Sequence, residues 1–296
     1  MSESKPPQIG DMLSTDGTRL FYRWHPVSEA RASVVVIHGF AEHSGRYSHV
    51  LDRLNAAGFN ALAFDYRGHG HAEGARVYID RFSEYVEDAR CALDFVEDRS
   101  GRLPVFMLGH SQGGLIATTT LLTQQQRLRG CVLSSPAFGV AVPVPAWKDT
   151  LGKVMARVLP SLAIPSGIDP RDLCHDAGVI QDYVADPLVP SYARARWYVA
   201  FTEAQAEVAR RASEVTIPML VLQGGDDRIA DPRATERVAA RLGSQDRTLR
   251  VLDGLFHEIL NEPERDQLLD EIVAEMRAAG VPPATTDRIV ASLRSI

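Results

Sequence analysis

The chain has 296 residues, 45% hydrophobic and 24% charged, with a formal net charge of −6. That length buries a large core, as one α/β domain with an insertion or as two domains, and the lack of any basic cluster argues against a nucleic-acid partner. Three cysteines without metal or C-x-x-C spacing read as buried thiols; no apolar signal core and no apolar run of roughly 18 residues lead us to expect a cytoplasmic, soluble protein without a spanning helix.

Residues 1–8 read as disordered. Residues 10–26 hold two strand-like runs, DMLST and TRLFYRWHP, around the Asp16-Gly17 turn signal, which predicts an antiparallel edge. Residues 32–37, ASVVVI, form the continuous apolar run of a parallel strand buried on both faces. It ends at His38-Gly39-Phe40. A helix is expected over 47–57, closed by Gly58, then a buried strand over 60–65 and a long helix over 82–97. Further strands at 131–135, 219–223 and 249–252 alternate with helices at 233–241 and 263–279. Such alternation makes an α/β fold with a mostly parallel central sheet and helices on both faces.

The chain is organised around residues 105–122, VFMLGHSQGGLIATTTLL, where an apolar strand stops at Gly109, presents Ser111, and becomes a helix of small residues. This is the pattern of a nucleophile elbow. The glycines are needed because a Cβ at Gly109 or Gly113 would strike the neighbouring strand or helix. The turn also puts the Gln112 N–H at a helix N-terminus, where unpaired donors favour a developing oxyanion.

A nucleophilic serine needs a base. Two later strand ends supply candidates: Asp226-Asp227-Arg228 after LVLQGG, and His257 after TLRVLDG. The order serine, acid, histidine is that of an α/β-hydrolase, with His257 taking the Ser111 proton and the acid fixing its tautomer. Spacing alone leaves Asp226 and Asp227 open.

Between residues 135 and 219 the alternation breaks off in a proline-rich interval, too long for a structureless loop and therefore expected to be a helical lid. The hydrolase core is assigned to 10–136 and 217–279, the lid to 137–216, and a C-terminal extension to 280–296. Within the lid, Trp147, Leu151, Val154 and Val158 follow helical spacing. That stripe either packs on the core or binds substrate above the carboxyl ends of the strands.

Together, GHSQGG, HGFAEHSGRY, FDYRGHG, QGGDDRIAD and GLFHEILNEPER resemble the monoacylglycerol lipase and lysophospholipase branch of the α/β-hydrolases, over about residues 15–279. The resemblance implies that the triad is Ser111, Asp227 and His257, the acid being the one before the arginine. It also implies that the Phe40 and Gln112 backbone N–H groups form the oxyanion hole, while Glu42, His43, Arg46 and Tyr47 shape the adjoining loop. Two departures stand out: Gln112, where members often carry methionine, and Ala72, where serine is common. The activity implied is cleavage of a monoacylglycerol, or a similar single-chain lipid ester, to fatty acid and glycerol through an acyl-enzyme. No metal or organic cofactor is implied. The partner is the lipid ester itself, with transient membrane or micelle contact through the lid. The same triad also serves a carboxylesterase, thioesterase or aminopeptidase, and a non-catalytic binding protein is the remaining alternative.

Overall fold

The computed structural model describes residues 5–141 and 146–279. The extension expected at 280–296 lies outside them, as do residues 1–4 and the side chains of Trp147 and Leu151. The chain opens with β1 (Gln8–Leu13) and β2 (Arg19–His25), an antiparallel pair whose connection turns at Gly17, with φ +85. β1 starts inside the stretch expected to be disordered, because Gln8 pairs with Trp24 at the end of β2. There follow β3 (Ala32–Ile37), α1 (Ser48–Ala56), β4 (Phe59–Asp65), α2 (Ser83–Ser100), β5 (Val105–His110), α3 (Gln112–Gln124) and β6 (Gly130–Ser134).

The insertion contains α4 (Ala146–Val158), β7 (Ala163–Pro165), α5 (Ala177–Ala185), β8 (Tyr192–Arg194) and α6 (Ala195–Arg211). Then β9 (Met219–Gly224), α7 (Pro232–Arg241), β10 (Arg247–Leu252) and α8 (Arg265–Ala278) complete the described fold. The eight-stranded sheet runs in the order β1-β2-β4-β3-β5-β6-β9-β10, antiparallel at β1-β2-β4 and parallel beyond.

Alternation along β3 shows why its apolar run is unbroken. Val34 and Val36 pack with residues of α1 and α8, while Val35 and Ile37 face the opposite layer with α2, α3 and α6. Both faces are covered, so both phases of the strand must be apolar. β5 lies beside β3, which brings the turn after β5 against the His38-Gly39-Phe40 loop. Chain directions diverge there, opening a crevice at the carboxyl ends of the strands, where open α/β sheets bind ligands.

The insertion is helical, with one element beyond that expectation, the short antiparallel β7–β8 hairpin. α6 joins it to the core. Trp197, Phe201, Ala204 and Val208 recur at helical spacing and enter the large core cluster, while Ala195 and Val199 meet Ala156 of α4. The stripe expected on α4 behaves differently. α4 turns Ala156 inward, leaving Val154 and Val158 53% and 68% exposed, so neither lines an enclosed substrate channel.

Candidate active site

Ser111 stands between β5 and α3 with φ 52 and ψ −119, a left-handed conformation that is uncommon for a residue with a side chain. The surroundings enforce it. A Cβ on Gly109 would lie 2.4 Å from the Gly113 carbonyl oxygen, and one on Gly113 would lie 2.1 Å from that of Ile37. The Ser111 N–H donates to the Ser134 carbonyl at 2.9 Å, and the Ser111 carbonyl accepts from Ala137 at 2.9 Å. Neighbouring chain therefore fixes both sides of the turn.

His257 Nε2 lies 2.9 Å from Ser111 Oγ, and His257 Nδ1 lies 2.8 Å from Asp227 Oδ2. The adjacent acids separate cleanly. Asp227 is buried, its Oδ1 accepting from the Ile229 and Ala230 N–H groups and its Oδ2 from Gln223, whereas Asp226 is exposed. Gln223 is itself held by the Thr235 hydroxyl at 2.8 Å. Burial pushes the Asp227 carboxyl upward, but His257 and the two amides outweigh it and leave the group below the ordinary carboxylate range. Burial likewise pulls His257 down, and the Asp227 charge and hydrogen bond reverse that, holding the imidazole above its ordinary value. His110 is the contrast: its ring lies 4.8 Å from that of His257, and burial, reinforced by that neighbour, lowers it to about 4. His110 is therefore uncharged near neutral pH.

The loop after β3 packs closely on the serine. A Cβ on Gly39 would lie 3.2 Å from Ser111 Cβ, so only glycine lets the Gly39–Phe40 peptide approach. Gln112 opens α3, which leaves its N–H among the first-turn donors that have no partner within the helix. Glu42 braces this loop, accepting from the Gly39 N–H and from the Tyr47 hydroxyl. Arg46 lies 2.6 Å from both Glu42 and Glu258, beneath the Tyr183 ring of the insertion. Burial opposes ionisation of Glu42, yet the Arg46 charge overcomes it and keeps the carboxylate ionised.

Three residues near the site went unforeseen. Trp197 of α6 packs on Phe40 with tilted rings, centroids 4.3 Å apart, and bonds Gln112; Tyr66 bonds both Gln112 and Gly39; Glu258 secures Arg46. The apolar stripe Trp197, Phe201, Ala204, Val208 was the available signal for the first. Nothing local in the sequence announces the other two. Among the described residues, no cluster of His, Cys, Asp or Glu is arranged to hold a metal ion.

Residues 28–264 match the family described as Serine aminopeptidase, S33. The chain belongs to this family of α/β-hydrolases. It is 34% identical over 264 residues to the monoacylglycerol lipase of Mycolicibacterium smegmatis, an alignment covering 87% of this chain and 92% of that protein. It is also 34% identical to the human monoglyceride lipase, over 85% of this chain and 84% of the relative. In structure it resembles the Paleococcus ferrophilus monoacylglycerol lipase, with TM-score 0.79 and 27% identity over 93% of this chain and all of the other. These relatives place the chain on the monoacylglycerol lipase branch.

Proposed function

We propose that the protein is a serine ester hydrolase that cleaves monoacylglycerols, with Ser111 as nucleophile, His257 as general base and acid, and Asp227 as the group that orients His257. The observation that carries this is the buried line from Ser111 Oγ through His257 to Asp227, with the serine held at positive φ. His257 takes the Ser111 proton as Oγ attacks the ester carbonyl, and the Phe40 and Gln112 N–H groups receive the charge on the carbonyl oxygen. His257 then protonates the departing glycerol oxygen. Water then attacks the acyl carbon as His257 takes its proton, and His257 returns that proton to Ser111 Oγ as the acyl–Oγ bond breaks and the fatty acid leaves.

The family description names an aminopeptidase, and a site of that kind needs an anion for the substrate's ammonium group. Glu258 and Glu42, whose charges act on His257 alongside Asp227, are both committed to Arg46. This favours an ester over an aminoacyl amide. Residues 137–216 serve as the cap. The exposed apolar side chains Val154, Val158, Leu159 and Val184 give it a surface for transient contact with a membrane or micelle holding the substrate. No helix among the described residues is long and apolar enough to cross a membrane.

Fluorophosphonate labelling of wild type and Ser111→Ala, beside hydrolysis rates for monoacylglycerols, triacylglycerols, short p-nitrophenyl esters and aminoacyl amides, tests this. Labelling lost in the variant and fastest turnover of monoacylglycerols are expected. Preference for aminoacyl amides would overturn the substrate class, and absence of labelling would overturn the mechanism.

A further inference from the structure

Trp197, Gln112, Tyr66 and Gly39 are joined by hydrogen bonds that the catalytic steps do not use. The Trp197 indole donates to Gln112 Oε1 at 3.0 Å, Gln112 Nε2 donates to Tyr66 Oη at 2.9 Å, and the Tyr66 hydroxyl donates to the Gly39 carbonyl at 2.5 Å. The direction is fixed at both ends. An indole N–H only donates and a carbonyl only accepts, so one orientation of the Gln112 amide and of the Tyr66 proton satisfies every atom. Burial holds Tyr66 well above the ordinary phenol range, and it keeps the proton it donates.

The receiving carbonyl belongs to the peptide unit whose N–H is that of Phe40. Among the described residues no peptide bond is cis, so in this planar trans unit C=O and N–H point opposite ways. The Gly39 oxygen is met by the Tyr66 hydroxyl and by His38 Nδ1, the latter at 2.8 Å, two partners that its two lone pairs can accept. Pinning the oxygen there aims the Phe40 N–H to the opposite side. A carbonyl engaged in this way also polarises its own amide into a stronger donor.

We propose that Gln112 and Tyr66 are positioning residues that pass the seating of the cap helix α6, sensed through Trp197, to the Phe40 oxyanion donor. The relay begins on the cap, crosses the elbow at the residue after the nucleophile, and ends on the oxyanion loop. It makes the oxyanion hole fully competent only when α6 is docked. This inference rests on the ester-hydrolase reading, in which Phe40 N–H receives the carbonyl charge.

The test compares wild type, Tyr66→Phe, Trp197→Phe and the double variant, all full length. Substrate is p-nitrophenyl butyrate, and the inhibitor is an alkyl trifluoromethyl ketone, whose adduct with Ser111 carries an oxyanion. Wild-type turnover and fluorophosphonate labelling test the ester-hydrolase reading without any of these variants, so its failure is distinguishable from failure of the relay. For Tyr66→Phe we expect kcat to fall about 10- to 100-fold with KM within about twofold, since a misaimed donor acts on the transition state rather than on bound substrate. Ketone affinity should fall by the same factor. The double variant should lose no more than the worse single one, because both substitutions cut the same chain. Losses that multiply, a loss carried by KM, or a lower Tm with kcat and ketone affinity unchanged would each overturn the relay. Should Tyr66→Phe fail to fold, Gln112→Met, which keeps the backbone N–H and nearly the side-chain volume, is read by the same criteria.

Discussion

The elbow at Ser111 and the outer face of the cap are built by opposite rules. Around Ser111 each backbone position is dictated by contact: added Cβ atoms at Gly109, Gly113 and Gly114 would all meet chain at under 3 Å. On α4, Val154 and Val158 are largely exposed, while Ala156 packs against Ala195 and Val199 of α6. Between the two lies a seam of specific contacts. His43 meets Asp186 at 2.7 Å, Arg46 sits under Tyr183, the Glu258 N–H donates to the Leu173 carbonyl, and Trp197 bonds Gln112. On the core side, the partners come from the loops that surround Ser111. The insertion is thus tied to the loops around Ser111 by specific polar contacts, while α6 anchors it in the core.

The largest expected break is at the rigid end. Ser111→Ala should lower turnover by about 10⁶-fold or somewhat less, leaving what binding and the oxyanion donors supply. The fold should be untouched, since the strain resides in the backbone. A purified variant retaining a tenth of the wild-type rate would remove Ser111 from the mechanism.

Next comes the acid. Asp227→Asn should lower kcat by about 10⁴-fold through the wrong histidine tautomer, whereas Asp226→Asn, at an exposed position, should cost little. The pH profile sharpens this. Activity needs neutral His257, so kcat/KM rises with pH through the imidazole pKa, and Asp227 places that inflection above the ordinary histidine value. In Asp227→Asn the largest raising influence is lost and burial is opposed only by the Glu258 and Glu42 charges, so the inflection of the residual activity should move below wild type. An unmoved inflection would contradict the assignment of that ionisation to His257.

The elbow and the parallel strands could be read because backbone constraint writes itself into local residue types: glycines where Cβ cannot fit, and unbroken apolar runs where both sheet faces are covered. Choosing between Asp226 and Asp227 needed the resemblance, and the structure separates them by burial. The seam could not be read. His43 and Asp186 are 143 residues apart, and nothing in either neighbourhood marks the pair. β10 also begins earlier than expected, since its first residues, Arg247 and Thr248, are exposed at the sheet edge and carry no apolar signal. On α4 the periodicity was real, but periodicity reports an apolar face without saying what covers it.

Within the seam, Arg46 is the point of greatest stored consequence. Arg46→Met would leave Glu42 and Glu258, about 5% exposed or less, without their shared cation. Removing one partner of a buried ion pair costs about 3–5 kcal/mol, seen as a lower denaturation midpoint. The loss should shrink as pH falls through the range where Glu42, held low by Arg46, takes up a proton. A variant as stable as wild type at neutral pH would show that the network contributes nothing to holding the site together.

The smallest expected effect lies on the exposed face and depends on how the substrate is presented. If Val154 and Val158 touch a lipid surface, each contributes about 1.5 kcal/mol by leaving water there, roughly tenfold in surface affinity. Val154→Asp and Val158→Asp should then lower kcat/KM for a long-chain monoacylglycerol held in vesicles by about that factor. Turnover of dissolved p-nitrophenyl butyrate should be unchanged, because both side chains are largely exposed whereas Ser111 and His257 are buried. Stability should move by no more than about 0.5 kcal/mol, as for other exposed positions. Equal losses on both substrates, accompanied by a fall in Tm, would mean that the stripe supports the fold of the cap and has no part in reaching the lipid.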